Sequence, residues 1–237
     1  MTIETVLIAG ASGGVGRETV QLLRDREVTV RALTSTAEKK STLREAGVEE
    51  VVVGDLRGGE TAVRAVDGVD AVCCTVGSGF PAALVGRELV DGVGVENLAR
   101  AAAEEGVDRV SLVSSLGVGD SKARAPRLLR LFLFRVLRAK ERGEQSLREA
   151  AVPHTILRPG GLTDDPATGD VLVGEGGDTV GGTIPRADVA RLLVDALWTP
   201  AAADRTFEVV ARDGLRGDTT GTVELEWASA FERPVGE

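Results

Sequence analysis

VLIAGASGGVGRETVQLL, residues 6–23, runs from an apolar stretch of strand length through a glycine loop into a helical pattern, and its reading decides the fold. Gly10, Gly13 and Gly16 stand at GxxGxxG spacing, after a predicted strand over 5–9 and at the start of a predicted helix over 15–24. That strand–loop–helix context is what gives the motif weight. Glycines let the turn adopt positive φ and let the backbone approach a diphosphate, whose charge is met by amide N–H groups at the helix N-terminus. Ser12 adds a hydroxyl donor beside the loop, and Gly14 and Val15 complete it. Gly10, Ser12, Gly13, Gly14, Val15 and Gly16 are thus the expected cradle of an NAD(P)(H) cofactor.

Outward from this segment, apolar runs of strand length alternate with longer helical stretches to about residue 210. Strands are predicted over 5–9, 28–33, 50–53, 71–76, 109–114, 154–157 and 206–210, with helices over 15–24, 37–46, 60–66, 84–105, 128–150 and 187–197. Gly47 and Gly106 each follow a helical stretch, as helix-terminating glycines do. This alternation implies βαβ units and an α/β fold: a Rossmann-type, doubly wound parallel sheet in a single domain over 1–211. Residues 212–237 read as an acidic C-terminal extension, with one short strand around 222–227 and a loose terminus.

Composition narrows the function classes. Acidic residues outnumber basic ones 37 to 28, giving a net charge of −9, which disfavours nucleic acid as a partner. Only four of the bases are lysine. Such an acidic, lysine-poor chain suits a halophilic source, whose surface carboxylates maintain solubility in salt; a GC-rich genome, which exchanges Lys for Arg, is the other reading. Cys73 and Cys74 lie inside the apolar run AVCCTV and fit a buried, reduced strand. With a single histidine, His154, and no spaced Cys/His cluster, no metal site is expected. The opening MTIETVLIAG enters a strand directly, with no basic segment or cleavage site before it, so a soluble, cytoplasmic protein is expected.

An Asp or Glu at the end of the second strand would bond the ribose 2′-hydroxyl of NAD. Here that strand ends Leu33-Thr34-Ser35-Thr36, with Arg17, Arg31, Lys39 and Lys40 nearby. Absence of an acid at Thr34 and Ser35 favours NADP(H) over NAD(H). If those bases are only solvated helix-end charges, the preference is relaxed.

GASGGVGR at 10–17, VRALT at 30–34, GDL at 54–56, VSS at 113–115, AKERGEQSLREA at 139–150, HTILRPGGL at 154–162 and IPRADVA at 184–190 follow one another in order. Taken together, they make the chain resemble the atypical short-chain dehydrogenase/reductase family, in its NAD(P)H-binding or NmrA-like group. The resemblance implies that Asp55 and Leu56 flank the adenine, that Thr75, Val76 and Gly77 line the ribose region, and that Pro159 and Gly160 approach the nicotinamide. Pro159 and Gly160 are also ordinary turn formers, and Asp55 is also a plausible helix cap. Better-known members of the superfamily use a Ser–Tyr–Lys set with Tyr and Lys four apart on one helix face, where the lysine lowers the phenol pKa. Lys140 matches the lysine, Ser114 or Ser115 the serine, and Val136 occupies the tyrosine position; the chain contains no tyrosine. Tyrosine-dependent alcohol oxidation or epimerisation is thereby excluded. Ser114 and Lys140 remain the candidate catalytic residues, with Lys140 bonding the nicotinamide ribose or standing as an exposed lysine beside Glu141 and Glu144.

His154 begins a strand after Val152-Pro153 and reads as a packing residue. Residues 121–142 carry eight bases and one acid among continuous apolar side chains. They suit a substrate-pocket wall first, then a homo-oligomer interface, then a membrane-surface contact through 124–138. Two functions compete. One is an NADPH-dependent oxidoreductase reducing a small, apolar, conjugated acceptor of quinone, flavin or tetrapyrrole type, which takes its proton from solvent. The other is a non-catalytic dinucleotide-sensing regulator or assembly factor.

Overall fold

Successive side chains of a strand face opposite ways. Along β1 (Thr5–Ala9), Val6 and Ile8 therefore enter one core while Leu7 and Ala9 enter another. Both cores are needed because β1 lies in the middle of the sheet, paired in parallel with β2 (Thr29–Thr34) on one side and β4 (Ala71–Cys74) on the other. The computed structural model describes residues 2–26, 28–78, 88–122 and 133–228.

The remaining strands are β3 (Glu50–Val53), β5 (Arg109–Val113), β6 (His154–Pro159), β7 (Gly161–Thr163), β8 (Val171–Gly174), β9 (Thr183–Pro185) and β10 (Arg205–Ala211). Eight of these strands form one sheet in the order β3-β2-β1-β4-β5-β6-β10-β8. Its pairings are parallel except for β8 against β10. Strand order reverses between β1 and β4, and doubly wound sheets bind ligands in the crevice beyond the strand C-termini at such a point. The architecture is thus the single-domain, Rossmann-like α/β fold that the alternation implied.

Among the described residues, six α-helices cover the sheet: α1 (Gly14–Arg24), α2 (Lys40–Glu45), α3 (Gly59–Val66), α4 (Val95–Glu105), α5 (Phe134–Glu149) and α6 (Arg186–Trp198). Val15, Gly16, Thr19, Val20 and Leu23 form the buried stripe of α1, at the spacing of one helix face. One core lies under α1 and α6, which pack side by side, and the other under α3, α4 and α5. Each fully buried Leu or Ile contributes roughly 1.5–3 kcal/mol. Gly47 and Gly106 do terminate helices with left-handed backbone, at φ 91° and 74°.

Some expectations shift. The strand expected over 71–76 ends at Cys74, although Thr75 N–H still donates to the Ala9 carbonyl at 2.8 Å, whereas β6 continues to Pro159. Within the helix expected over 84–105, residues 84–87 lie outside the described residues, and Val90–Gly94 forms a π-helical turn before α4. Glycine at 143 lets that turn sit against α5: a Cβ there would be 2.4 Å from the Asp91 carbonyl oxygen. Strands β7, β8 and β9 were not anticipated: β7 and β9 are three residues long, and β8 is a short apolar run between Gly- and Asp-rich turns.

Residues 212–228 fold back onto the sheet, and the expected loose terminus beyond them lies outside the described residues. Val223 N–H donates to the Val173 carbonyl at 2.9 Å, in place of a strand over 222–227, and Trp227 stands edge-on to Phe207 at 5.6 Å. No described helix is long and apolar enough to cross a membrane. Of the basic segment, residues 123–132 lie outside the described residues, so the readings of 124–138 as pocket wall, interface or membrane contact fall largely there.

Candidate functional site

Gly10 leaves β1 at φ 88°, and its N–H donates to the Leu33 carbonyl at 3.1 Å. A Cβ at Gly10 would lie 2.9 Å from the Thr75 backbone, and one at Gly16 would lie 2.3 Å from the Gly10 oxygen. Both glycines are required by close backbone approach. Gly13 occupies the N-cap of α1 without offering a side chain, so the first-turn amides of Gly14, Val15 and Gly16 have no side-chain cap. Val15 and Gly16 themselves are buried and contribute backbone, not side chains, to this end of the helix.

The loop opens onto a cavity of about 560 Å³. Gly10, Ser12 and Gly13 line one part of it, and Thr34, Ser35 and Lys39 another. Asp55, Leu56 and Arg57 come from the end of β3, while Thr75, Val76 and Gly77 come from the end of β4, with Glu88 and Leu89 closing the far side. Most of the expected cofactor residues therefore meet around one crevice. Ser12 Oγ and Thr34 Oγ1 are 3.3 Å apart, linking loop and β2. An uncapped helix N-terminus beside a loop too tight for side chains fits a dinucleotide diphosphate.

Of the four bases expected near the ribose, Lys39 lines the cavity. Arg31 is turned away, bonded to Glu50 and to the carbonyls of Ala65 and Asp67. Arg57 joins the site unforeseen, forked onto Asp55 with Nε 2.9 Å from Oδ2. Its hydrogen bonds hold the Asp55 carboxyl below the usual carboxylate range despite partial burial.

Val76 also borders a narrower crevice with Asp91, Ser114 and Lys140. Lys140 Nζ lies 3.1 Å from Asp91 Oδ1 and donates to the Val113 carbonyl at 3.4 Å. Asp91 is buried in the π-helical turn, and its Oδ2 accepts from Ser78 N–H at 2.8 Å. One helical turn before Lys140, Val136 packs against Leu89 and Ala139. The tyrosine position is thus part of an apolar wall.

Ser114 borders the same crevice as Lys140, with its hydroxyl engaged from the other side. Its hydroxyl is buried and donates to Glu144, which Arg158 grips through Nε at 3.0 Å and Nη2 at 2.7 Å. Arg158 also bonds Asp120, and Arg148 Nη2 reaches Glu144 at 2.9 Å. Burial alone would raise the Glu144 carboxyl, but the charge and hydrogen bonds of Arg158, with the Ser114 hydroxyl, hold it below its ordinary value. Ser115 Oγ donates to the Leu116 carbonyl at 3.0 Å.

Pro159 and Gly160 do not line the cavity beside the glycine loop. A Cβ at Gly160 would lie 2.4 Å from the Gly182 oxygen, so this glycine serves the contact between β6 and the loop before β9. His154 sits at the opposite end of β6 from this edge, buried, with Nδ1 2.9 Å from the Val152 carbonyl. Burial pushes the Cys73 thiol up to about 12 and the Cys74 thiol up to about 11, so both are neutral at pH 7.

Sequence reasoning overlooked Asp91, Glu144 and Arg158. A signal existed for two of them. Glu144 falls one turn past Lys140 on the buried face of α5, and Arg158 interrupts the apolar run HTILRP, where a charge implies a buried partner.

Residues 10–200 match the family described as NAD(P)H-binding. The chain belongs to this NAD(P)H-binding family. A chloroplastic protein of Arabidopsis thaliana is 33% identical over 216 residues, covering 87% of this chain and 76% of its own. Sanguinarine reductase of Eschscholzia californica is 29% identical, with 91% of this chain and 92% of that protein aligned. Among solved structures, ChuY, an anaerobillin reductase from Escherichia coli O157:H7, superposes with a TM-score of 0.79 at 26% identity, covering 90% of this chain and 100% of ChuY. The atypical short-chain dehydrogenase/reductase resemblance stands, and the cofactor of this NAD(P)H-binding chain is a nicotinamide dinucleotide.

Proposed function

We propose that the protein is an NADPH-dependent reductase of a small, apolar, conjugated acceptor of quinone, flavin or tetrapyrrole type. An NAD(P)-dependent oxidoreductase is the class that the family and its relatives named as reductases support. The observation that carries the finer reading is the pairing of Lys140, held by Asp91, with the apolar Val136 and Leu89 where a tyrosine would otherwise donate a proton. When bound, the nicotinamide supplies the hydride. The glycine loop binds the diphosphate, Asp91 orients the Lys140 ammonium toward the ribose, and the apolar wall excludes water beside the acceptor. Protonation is left to solvent. NADPH oxidation across quinones, flavins and tetrapyrroles, in high and low salt, tests this directly. Silence across the panel with tight NADPH binding would instead support the sensing or assembly role, which the engagement of Ser114 by Glu144 also favours.

Thr34 and Ser35 at the end of β2, with Lys39 lining the same cavity, favour the 2′-phosphate. NADPH should bind at least tenfold more tightly than NADH, about 1.4 kcal/mol. Ser35→Asp should erase or reverse that ratio, since its carboxylate repels a phosphate and accepts from a hydroxyl. Calorimetry showing wild-type preference for NADH would sink the assignment.

Lys140→Met should lower kcat/KM for NADPH oxidation by about 10- to 100-fold, roughly 1.4–2.7 kcal/mol. Because it strands the buried Asp91 carboxylate, the variant Lys140→Met/Asp91→Asn should regain stability without regaining rate. Stopped-flow rates unchanged in both would remove this helix face from the active site.

A further inference from the structure

Gly14 is not one of the three glycines of the GxxGxxG spacing, yet a side chain there would have to displace a neighbouring one. A Cβ there would lie 2.6 Å from Cδ and 2.7 Å from Nε of Arg186. Gly14 is the first residue of α1 and Arg186 the first of α6. Both helices begin at the C-terminal edge of the sheet: α1 follows β1, and α6 follows β9, whose partner β7 continues directly from β6. The guanidinium is therefore set between two helix N-termini that pack side by side. Helix N-termini carry partial positive charge and disfavour cations. Asp188, the acid in the first turn of α6, is already engaged by Thr168 N–H and Oγ1 and by Gly169 N–H. What offsets Arg186 is Asp164, 2.7 Å from Nη1 and 92% exposed. An exposed pair of this kind is weak and easily exchanged.

We infer that Arg186 is a further dinucleotide-binding residue, which gives up Asp164 for the cofactor diphosphate held at the start of α1. The inference rests on the dinucleotide reading of the adjoining cavity. It explains three features together: a cation where helix dipoles oppose one, a glycine at 14 that leaves it space, and a weak exposed partner. Two parallel N–H-bearing helix ends and a fork of guanidinium donors suit a dianion better than any of them alone.

Calorimetric titration with NADPH, NADH and adenosine 2′-monophosphate tests it, the last carrying no diphosphate. Arg186→Met should bind NADPH about tenfold more weakly, while adenosine 2′-monophosphate binds as in wild type. Asp164→Asn, which frees the guanidinium, should bind NADPH about threefold more tightly, a gain that a merely structural pair would not produce. Gly14→Ala should match Arg186→Met and add nothing in its background, since the methyl group displaces the same side chain. Thermal melts of each variant establish that it folds, and Arg186→Lys should retain an intermediate affinity. NADPH binding unchanged in Arg186→Met, equal losses for both ligands, or weaker binding in Asp164→Asn would each overturn the role of Arg186. A wild-type protein that takes up neither NADPH nor NADH would overturn the dinucleotide reading along with it.

Discussion

Glu144→Ala should destabilise the fold by about 3–5 kcal/mol, because it strands the Arg158 guanidinium in the interior. Glu144 is 1% exposed and receives Ser114, Arg148 and both arms of Arg158. For a chain of 237 residues the melting temperature should fall by roughly 10 °C. Asp120, itself largely exposed, can hold only one side of the guanidinium. Replacing both partners, as Glu144→Leu/Arg158→Met, should recover much of the loss, since a buried ion pair exchanged for apolar groups is often neutral. Urea denaturation distinguishes these outcomes. A single variant as stable as wild type would mean that the network contributes nothing to the fold.

The same carboxylate sets an acid limb. Its folded pKa lies below the ordinary 4.5. Its contribution is therefore complete above that value and is lost as pH falls through it toward the folded pKa. Wild-type stability should drop below about pH 4.5, and Glu144→Ala should show a flatter acid limb over that range. A steeper limb in the variant would contradict the assignment.

Gly13→Asp should abolish measurable dinucleotide binding while leaving the fold intact, a loss of at least about 100-fold, or 2.7 kcal/mol. A Cβ at Gly13 meets the Gly10 oxygen at 3.3 Å, which small adjustments accommodate. The new carboxylate would cap the α1 amides that Gly13 leaves open, so the melting temperature should hold or rise slightly. It would also occupy the position required by the diphosphate. Gly16→Val should lose binding by a different route. Its Cβ would fall 2.3 Å from the Gly10 oxygen and 2.8 Å from the Ala11 Cα, both backbone atoms, so the loop must move and stability falls with affinity. Undiminished NADPH affinity in Gly13→Asp would show that the loop is not the cofactor cradle.

The sequence by itself determined what is local and periodic. The spacing of Gly10, Gly13 and Gly16 between an apolar strand and a helical stripe specified the first βαβ unit and its glycine loop, because backbone conformation and helix polarity act over a few residues. Apolar alternation then sufficed for the order of strands and helices through β6 and for α6 and β10, but not for β7, β8 and β9, and the absent tyrosine was visible by composition alone. Side-chain partnership across the fold was decided only by tertiary structure. Ser114 and Glu144 are thirty residues apart in sequence, Asp120 and Arg158 thirty-eight, and Gly14 and Arg186 farther still. No periodic pattern records such pairs. Likewise, Arg31 and Lys39 both stand near the end of β2, but strand pairing turns Arg31 to Glu50 while Lys39 reaches the cavity. The short strands β7 and β9 exist through their mutual pairing rather than intrinsic propensity, and they bring Asp164 and Arg186 together. A buried charge costs too much to remain unpaired, so the fold must supply its partner from wherever the chain returns.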